Sequence, residues 1–176
     1  MPTQYWLTPR PVGVRLTAPL LELLVARTLG SGNNYNSNER KLGLLMSNKS
    51  KYPKEIVWAA QYILSVSGRK KLITEQKVEI MRDGVPVSFG SMDAYCKGHL
   101  FDLKTGQVRD YKQQMAAYAL GVMQKFGDKK LTCHLVYSRF KRADTFDLTV
   151  TEAQDIVYGI MDSVNDPTRS PWPCSY

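Results

Sequence analysis

The hydrophobic period of this chain first changes near Leu72, and that change constrains the fold more than any other feature. Before it, apolar residues recur at helical spacing. Pro53 suits a first helical turn, and over residues 55–66 Ile56, Ala59, Ala60 and Ile63 fall on one face. Gly68 stops that helix. After the change, residues 72–81 alternate loosely and meet Asp83-Gly84, a tight hairpin signal. Residues 85–89 answer as a second strand, and residues 92–96 and 100–105 form another hairpin around Lys97-Gly98. Residues 107–126 return to helical spacing, with Met115, Tyr118, Ala119, Val122, Met123 and Phe126 available for packing. Residues 131–137 and 145–150 read as strands, and Thr151 with Glu152 opens a last helix to residue 164. This order is not a βαβ repeat. The expected class is α/β (α+β), a central mixed β-sheet flanked by helices.

At 176 residues the chain suits one domain: a basic helical part over residues 1–67, a sheet core over 68–166 and an irregular tail over 167–176. Upstream of Pro53, Thr17 can cap a helix over residues 17–29, residues 30–38 (GSGNNYNSN) read as a loop, and residues 39–46 as a short helix. Tyr35 in that loop is available to stack on a base, although such a tyrosine is more often simply exposed. No apolar run approaches the roughly 18 residues of a membrane span. The longest is broken by Glu22 and Arg27, which also spoil it as a signal-peptide core, so a cytoplasmic protein without a membrane partner is expected. Cys96, Cys133 and Cys174 are odd in number and widely spaced, which argues against a disulfide framework.

The net charge is +8, and its distribution is uneven. Residues 1–54 carry eight basic and two acidic side chains, whereas each of the two following stretches carries eight against seven. A basic flank beside an acidic centre fits a phosphate backbone gripped by one part and a metal held by another; a merely solvated basic domain is the plainer alternative.

The chemistry concentrates in residues 90–120 (GSMDAYCKGHLFDLKTGQVRDYKQQMAAYAL). Alternation on the strand puts Asp102 and Lys104 on one face and Phe101 and Leu103 on the other. Asp93 lies on the preceding strand, so the two carboxylates can meet across the ladder. Two converging aspartates repel unless a cation lies between them, which points to a hard metal, Mg²⁺ or Mn²⁺. A lysine beside them supplies positive charge where a nucleophile or phosphoryl oxygen would lie, the set that phosphodiester hydrolysis needs. The acid-x-Lys triplet alone says little, because Glu39/Lys41, Glu75/Lys77, Asp110/Lys112 and Asp128/Lys130 repeat it. Only Asp102/Lys104 combines a strand with an aspartate on the paired strand upstream. Gln114 and Tyr118, four apart on the following helix, stack on one face near the site. Gln114 there can hydrogen-bond a phosphate or a water, or be a solvated helix residue. Arg69, Lys70 and Lys71 form a basic cluster suited to a DNA backbone.

The run Gly90-Ser91-Met92-Asp93, then Phe101-Asp102-Leu103-Lys104-Thr105-Gly106, then Tyr111-x-x-Gln114-x-x-x-Tyr118, resembles the RecB-like branch of the PD-(D/E)XK nucleases. That branch carries a G-x-x-D, D-x-K-T-G and Q-x-x-x-Y series. The resemblance is close over residues 90–120 and, by element order, looser over residues 50–165. It implies a restriction-endonuclease-like core and an Mg²⁺-dependent deoxyribonuclease of exonuclease type acting on single- or double-stranded DNA. Asp93 and Asp102 would ligate the metal with the Leu103 carbonyl, Lys104 would be catalytic, and Gln114 and Tyr118 would complete the accessory motif.

Two features depart from that pattern. Many members place a metal-binding histidine on an early helix, but this sequence has only His99 and His134. Glu55 is the natural substitute, as other branches use a glutamate there; an exposed first-turn glutamate favoured by the helix dipole is an equal alternative, and Glu75 is the rival ligand. Pro171-Trp172-Pro173-Cys174 resembles the approach to an iron–sulfur cysteine motif, yet no partner cysteine follows and none lies in the N-terminal third, so a cluster is not expected. A zinc site from Cys96, His99, Cys133 and His134 is disfavoured, because adjacent strand residues point to opposite faces. The alternative from another class is a catalytically silent nucleic-acid-binding module of the same fold within a larger complex.

Overall fold

Positive φ angles of 53° at Asp83 and 78° at Gly84 build the reversal that the Asp-Gly pair calls for, since a type I′ hairpin turn needs both central residues in the left-handed region. The computed structural model describes residues 54–68, 70–104 and 106–165. The helices expected over residues 17–29 and 39–46, the loop holding Tyr35, residues Pro53, Arg69 and Thr105, and the tail from residue 167 lie outside them.

Among the described residues the order is α1 (Lys54–Ser67), β1 (Ile73–Arg82), β2 (Val85–Cys96), β3 (His99–Lys104), α2 (Lys112–Phe126), β4 (Lys130–Tyr137), a short 3-10 turn (Ser138–Phe140), β5 (Arg142–Thr149) and α3 (Val150–Asn165). The strands form a mixed sheet in the order β1-β2-β3-β4-β5. All neighbours are antiparallel except β3 and β4, which are parallel and joined through α2. The expected mixed sheet flanked by helices is what the chain forms.

Four boundaries differ from the sequence reading by more than one residue. The strands expected over residues 85–89 and 92–96 are one strand, because β1 supplies partners throughout, Val78 to Gly90 and Lys77 to Ser91. α2 starts at Lys112 rather than residue 107; the Asp110 carboxylate accepts the Lys112 N–H at 2.8 Å and fixes the start there. β5 begins at Arg142, since Lys141 turns the chain at a φ of 48°. Thr149, not Thr151, opens the last helix. Its hydroxyl accepts the Glu152 N–H at 3.3 Å, while Glu152 Oε2 accepts the Thr149 N–H at 2.8 Å, a reciprocal capping box.

Each face of the sheet has its own core. On one, Ile56, Ala60 and Ile63 of α1 bury Ala94, Phe101, Leu103 and Val136. On the other, α2 and α3 bury Val78, Ile80, Met92, Leu100, Leu135 and Leu148. α2 approaches β1 closely: a Cβ on Gly121 would lie 3.1 Å from Val78 and 3.2 Å from the Glu79 carbonyl. This helix carries Gln114, so the close approach sets where that side chain stands.

Candidate active site

β2 and β3 part at the site. Their ladder runs Cys96 to His99, Tyr95 to Leu100 and Ala94 to Phe101, which puts Asp93 and Asp102 at the next level. There a side chain enters the ladder: Asp93 Oδ2 accepts the Leu103 N–H at 2.7 Å. A strand residue's N–H and C=O leave on the same side, so the Leu103 carbonyl also faces the Asp93 strand. Asp93 and Lys104 are each 9% exposed and Asp102 is 1% exposed. Charges held this deep need partners.

Alternation along β3 does what the sequence predicts. Phe101 and Leu103 pack under α1, while Asp102 and Lys104 share the opposite face. Lys104 Nζ lies 2.7 Å from Asp102 Oδ2 and donates to Gln114 Oε1 at 2.6 Å. Gln114 Nε2 in turn donates to the Tyr118 hydroxyl at 3.3 Å, across the one helical turn that separates them. The ammonium also stands 3.9 Å over the Tyr111 ring, a cation–π contact. Sequence reasoning quoted Tyr111 at the head of the Tyr111-x-x-Gln114-x-x-x-Tyr118 run but gave it no role; it stands immediately before α2, three residues from Gln114.

Other candidates fall elsewhere. Glu55 is exposed in the first turn of α1, on the helix that covers the Phe101 and Leu103 face. The fold does not bring it to the Asp102 side, because burying Ile56 and Val57 turns it outward. Glu75 stands on β1 between Thr74 and Gln76, which pair with Ala94 and Met92, and has a φ of 53°, uncommon for a residue with a side chain. Two of the other acid-x-Lys triplets have structural roles: Asp110 accepts the Lys112 N–H just before α2, and Asp128 accepts the Tyr95 hydroxyl at 2.6 Å; Glu39/Lys41 lies outside the described residues. Lys70 and Lys71 are exposed, and the Lys70 charge reaches Cys96 at the end of β2 and His99 at the start of β3. Along β3, Asp102 lies three residues from His99, about 10 Å, and Lys104 five residues, about 16 Å.

No family model and no curated protein matches this chain. Among solved structures it is similar to the crystal structure of SSO0001, at 17% identity and a TM-score of 0.36, over 91% of this chain and 92% of that one. So distant a likeness carries no argument about fold or chemistry.

The second polar cluster lies under α1. Tyr62 Oη is 2.9 Å from His134 Nδ1, and His134 Nε2 is 3.1 Å from His99 Nδ1. Phe101 stacks on the His134 ring at 4.6 Å. Burial, with the neighbouring His99, pushes the His134 pKa down to about 4. Cys133 packs in the opposite core, where burial pushes its thiol up to about 12, and Cys96 is pushed up to about 11. Both are free thiols. The four residues dismissed as a zinc site thus divide between two faces.

Proposed function

We propose that this protein is a metal-dependent deoxyribonuclease of RecB-like exonuclease type, built on a restriction-endonuclease-like core. The observation that carries the reading is the unbroken chain Asp102–Lys104–Gln114–Tyr118, with contacts of 2.7, 2.6 and 3.3 Å. Four residues picked out by a linked sequence pattern, on a strand and a helix, touch in series beside a second buried aspartate.

The donors suit a hard cation. Asp93, Asp102 and the Leu103 carbonyl are all oxygen donors. Among the described residues no group of three or more His, Cys, Asp or Glu side chains is placed to hold a metal by itself. Magnesium tolerates this, since it commonly takes one or two carboxylates and completes its shell with water and substrate phosphate. Bound there, Mg²⁺ or Mn²⁺ would lower the pKa of a water and neutralise phosphate charge. Asp93, held by the Leu103 N–H, keeps its carboxylate aimed between the strands. Lys104, steadied by Gln114 and the Tyr111 ring, holds positive charge where the nucleophile and the phosphate meet. Gln114 offers an amide to orient the scissile phosphate. The basic cluster at Arg69, Lys70 and Lys71 would contact a more distant stretch of the DNA backbone.

The alternative reading is the silent DNA-binding module of the same fold. Incubation with DNA and Mg²⁺, with and without EDTA, separates the two. Metal-dependent cleavage that Asp102→Asn and Asp93→Asn each abolish is the expected result. Undiminished cleavage by both variants would remove the site.

A further inference from the structure

We infer that the cavity beside Gln114 receives an unpaired nucleobase of the strand being cut. This rests on the nuclease reading and names the form of its substrate. The cavity, about 210 Å³, opens between the β1–β2 ribbon, α2 and α3. Ile80 and Ser88 come from the ribbon, Ala117 from α2 and Met161 from α3, with Tyr111 beside them. Gln114 lines it as well, and the same side chain accepts the Lys104 Nζ hydrogen bond at 2.6 Å. The cavity is therefore one side chain away from the proposed phosphate position.

A nucleobase is flat and apolar on its faces and polar along its edge. Aliphatic and thioether surfaces from Ile80, Ala117 and Met161 match the faces. The Ser88 hydroxyl and the Gln114 amide supply donors and acceptors for the edge. A nucleotide carries its base one sugar away from its phosphate, and the cavity is joined to Lys104 through the Gln114 side chain. A base stacked and paired in a duplex cannot enter a pocket between two helices and a sheet; only a splayed or single-stranded one can. The enzyme should therefore act on unpaired ends.

The test uses the full chain and a short single-stranded oligonucleotide carrying 2-aminopurine at successive positions, with Ca²⁺ in place of Mg²⁺ so that binding is read without chemistry. Emission should change at one position and should not change in the blunt duplex. Free deoxyadenosine should compete for that signal on the unmutated protein. Filling the cavity from either wall, by Ala117→Phe or Met161→Trp, should weaken single-strand binding about tenfold or more, the scale of one lost base-stacking contact. The position-specific signal should vanish with it. A signal that filling removes supports the cavity even if Mg²⁺ gives no cleavage, in which case only the nuclease reading falls. Metal-dependent cleavage with equal rates on single strands and duplex, no position-specific signal and no competition overturns the cavity while leaving the nuclease reading intact.

Discussion

The two faces of the sheet each hold a buried polar chain, and the chains are built differently. Under α2, Asp102, Lys104, Gln114 and Tyr118 link an acid, a base, an amide and a phenol beside an open cavity. Under α1, Tyr62, His134 and His99 link groups that burial holds neutral, since both imidazoles have lowered pKa values. A neutral chain can close on itself and specify packing. A charged chain of this depth costs desolvation and is a weak device for stability, so its position at a cavity points to chemistry. Burial of polar groups does not separate the two faces; an ion pair beside an opening does.

Among variants that leave both carboxylates in place, the largest effect should come from Lys104→Ala. Lys104 carries a positive charge and cannot ligate a cation, so its removal should leave metal affinity unchanged or slightly raised in a calorimetric titration. Single-turnover cleavage should fall about 10²–10³-fold, the usual cost of one preorganised electrostatic partner. Lys104→Arg should rescue poorly, because a guanidinium is bulkier and holds its proton far more firmly. Cleavage close to that of the parent would make Lys104 an ordinary strand lysine and erase the contrast between the faces.

His134→Phe should do the reverse. It leaves the Tyr62 hydroxyl and His99 without their shared partner, a loss of about 1–3 kcal/mol in urea unfolding, with cleavage unchanged. It should also alter the pH response. Between an ordinary value of 6.5 and about 4, the unfolded chain binds a proton at His134 that the folded chain does not. Stability should therefore fall as pH drops through that window and, for this group, level off below it. The phenylalanine variant should show a flatter fall. An identical slope would mean that other groups govern acid unfolding.

Gly121→Ala should give the smallest change. The added methyl crowds Val78 and the Glu79 carbonyl, and such overpacking costs about 1–3 kcal/mol. Better helix propensity offsets roughly 1 kcal/mol of this. Ala60→Gly on the other face should destabilise by a similar amount, about 1 kcal/mol. Cleavage rates measured well below both unfolding midpoints sharpen the comparison. Only the α2 variant should slow the reaction, because α2 carries Gln114. Equal rates would mean that Gln114 tolerates a shift of its helix.

Much of the fold was legible. Apolar period located α1, the strands and the two later helices, and the Asp83-Gly84 turn fixed the first hairpin. Strand alternation placed Asp102 with Lys104, and helical spacing placed Gln114 with Tyr118, because both depend only on backbone geometry. Boundaries were less legible where a partner decided them. Gly90 and Ser91 read as a break but are held in one strand by β1, and the start of α2 depends on the Asp110 side chain. Glu55 was attractive by analogy of position, yet the apolar neighbours that bury α1 turn it away from the carboxylates.

The sequence by itself determined which residues share a strand face or a helix face, since those relations repeat every two or three to four residues. Only the tertiary structure decided that Lys104 meets Gln114 ten residues later, that Tyr111 lies under its ammonium, and that Tyr62 joins His134 across 72 positions. Those contacts depend on how α1 and α2 settle on opposite faces of the sheet, and that settling is governed by packing volume and close approach, as at Gly121, which no local period encodes.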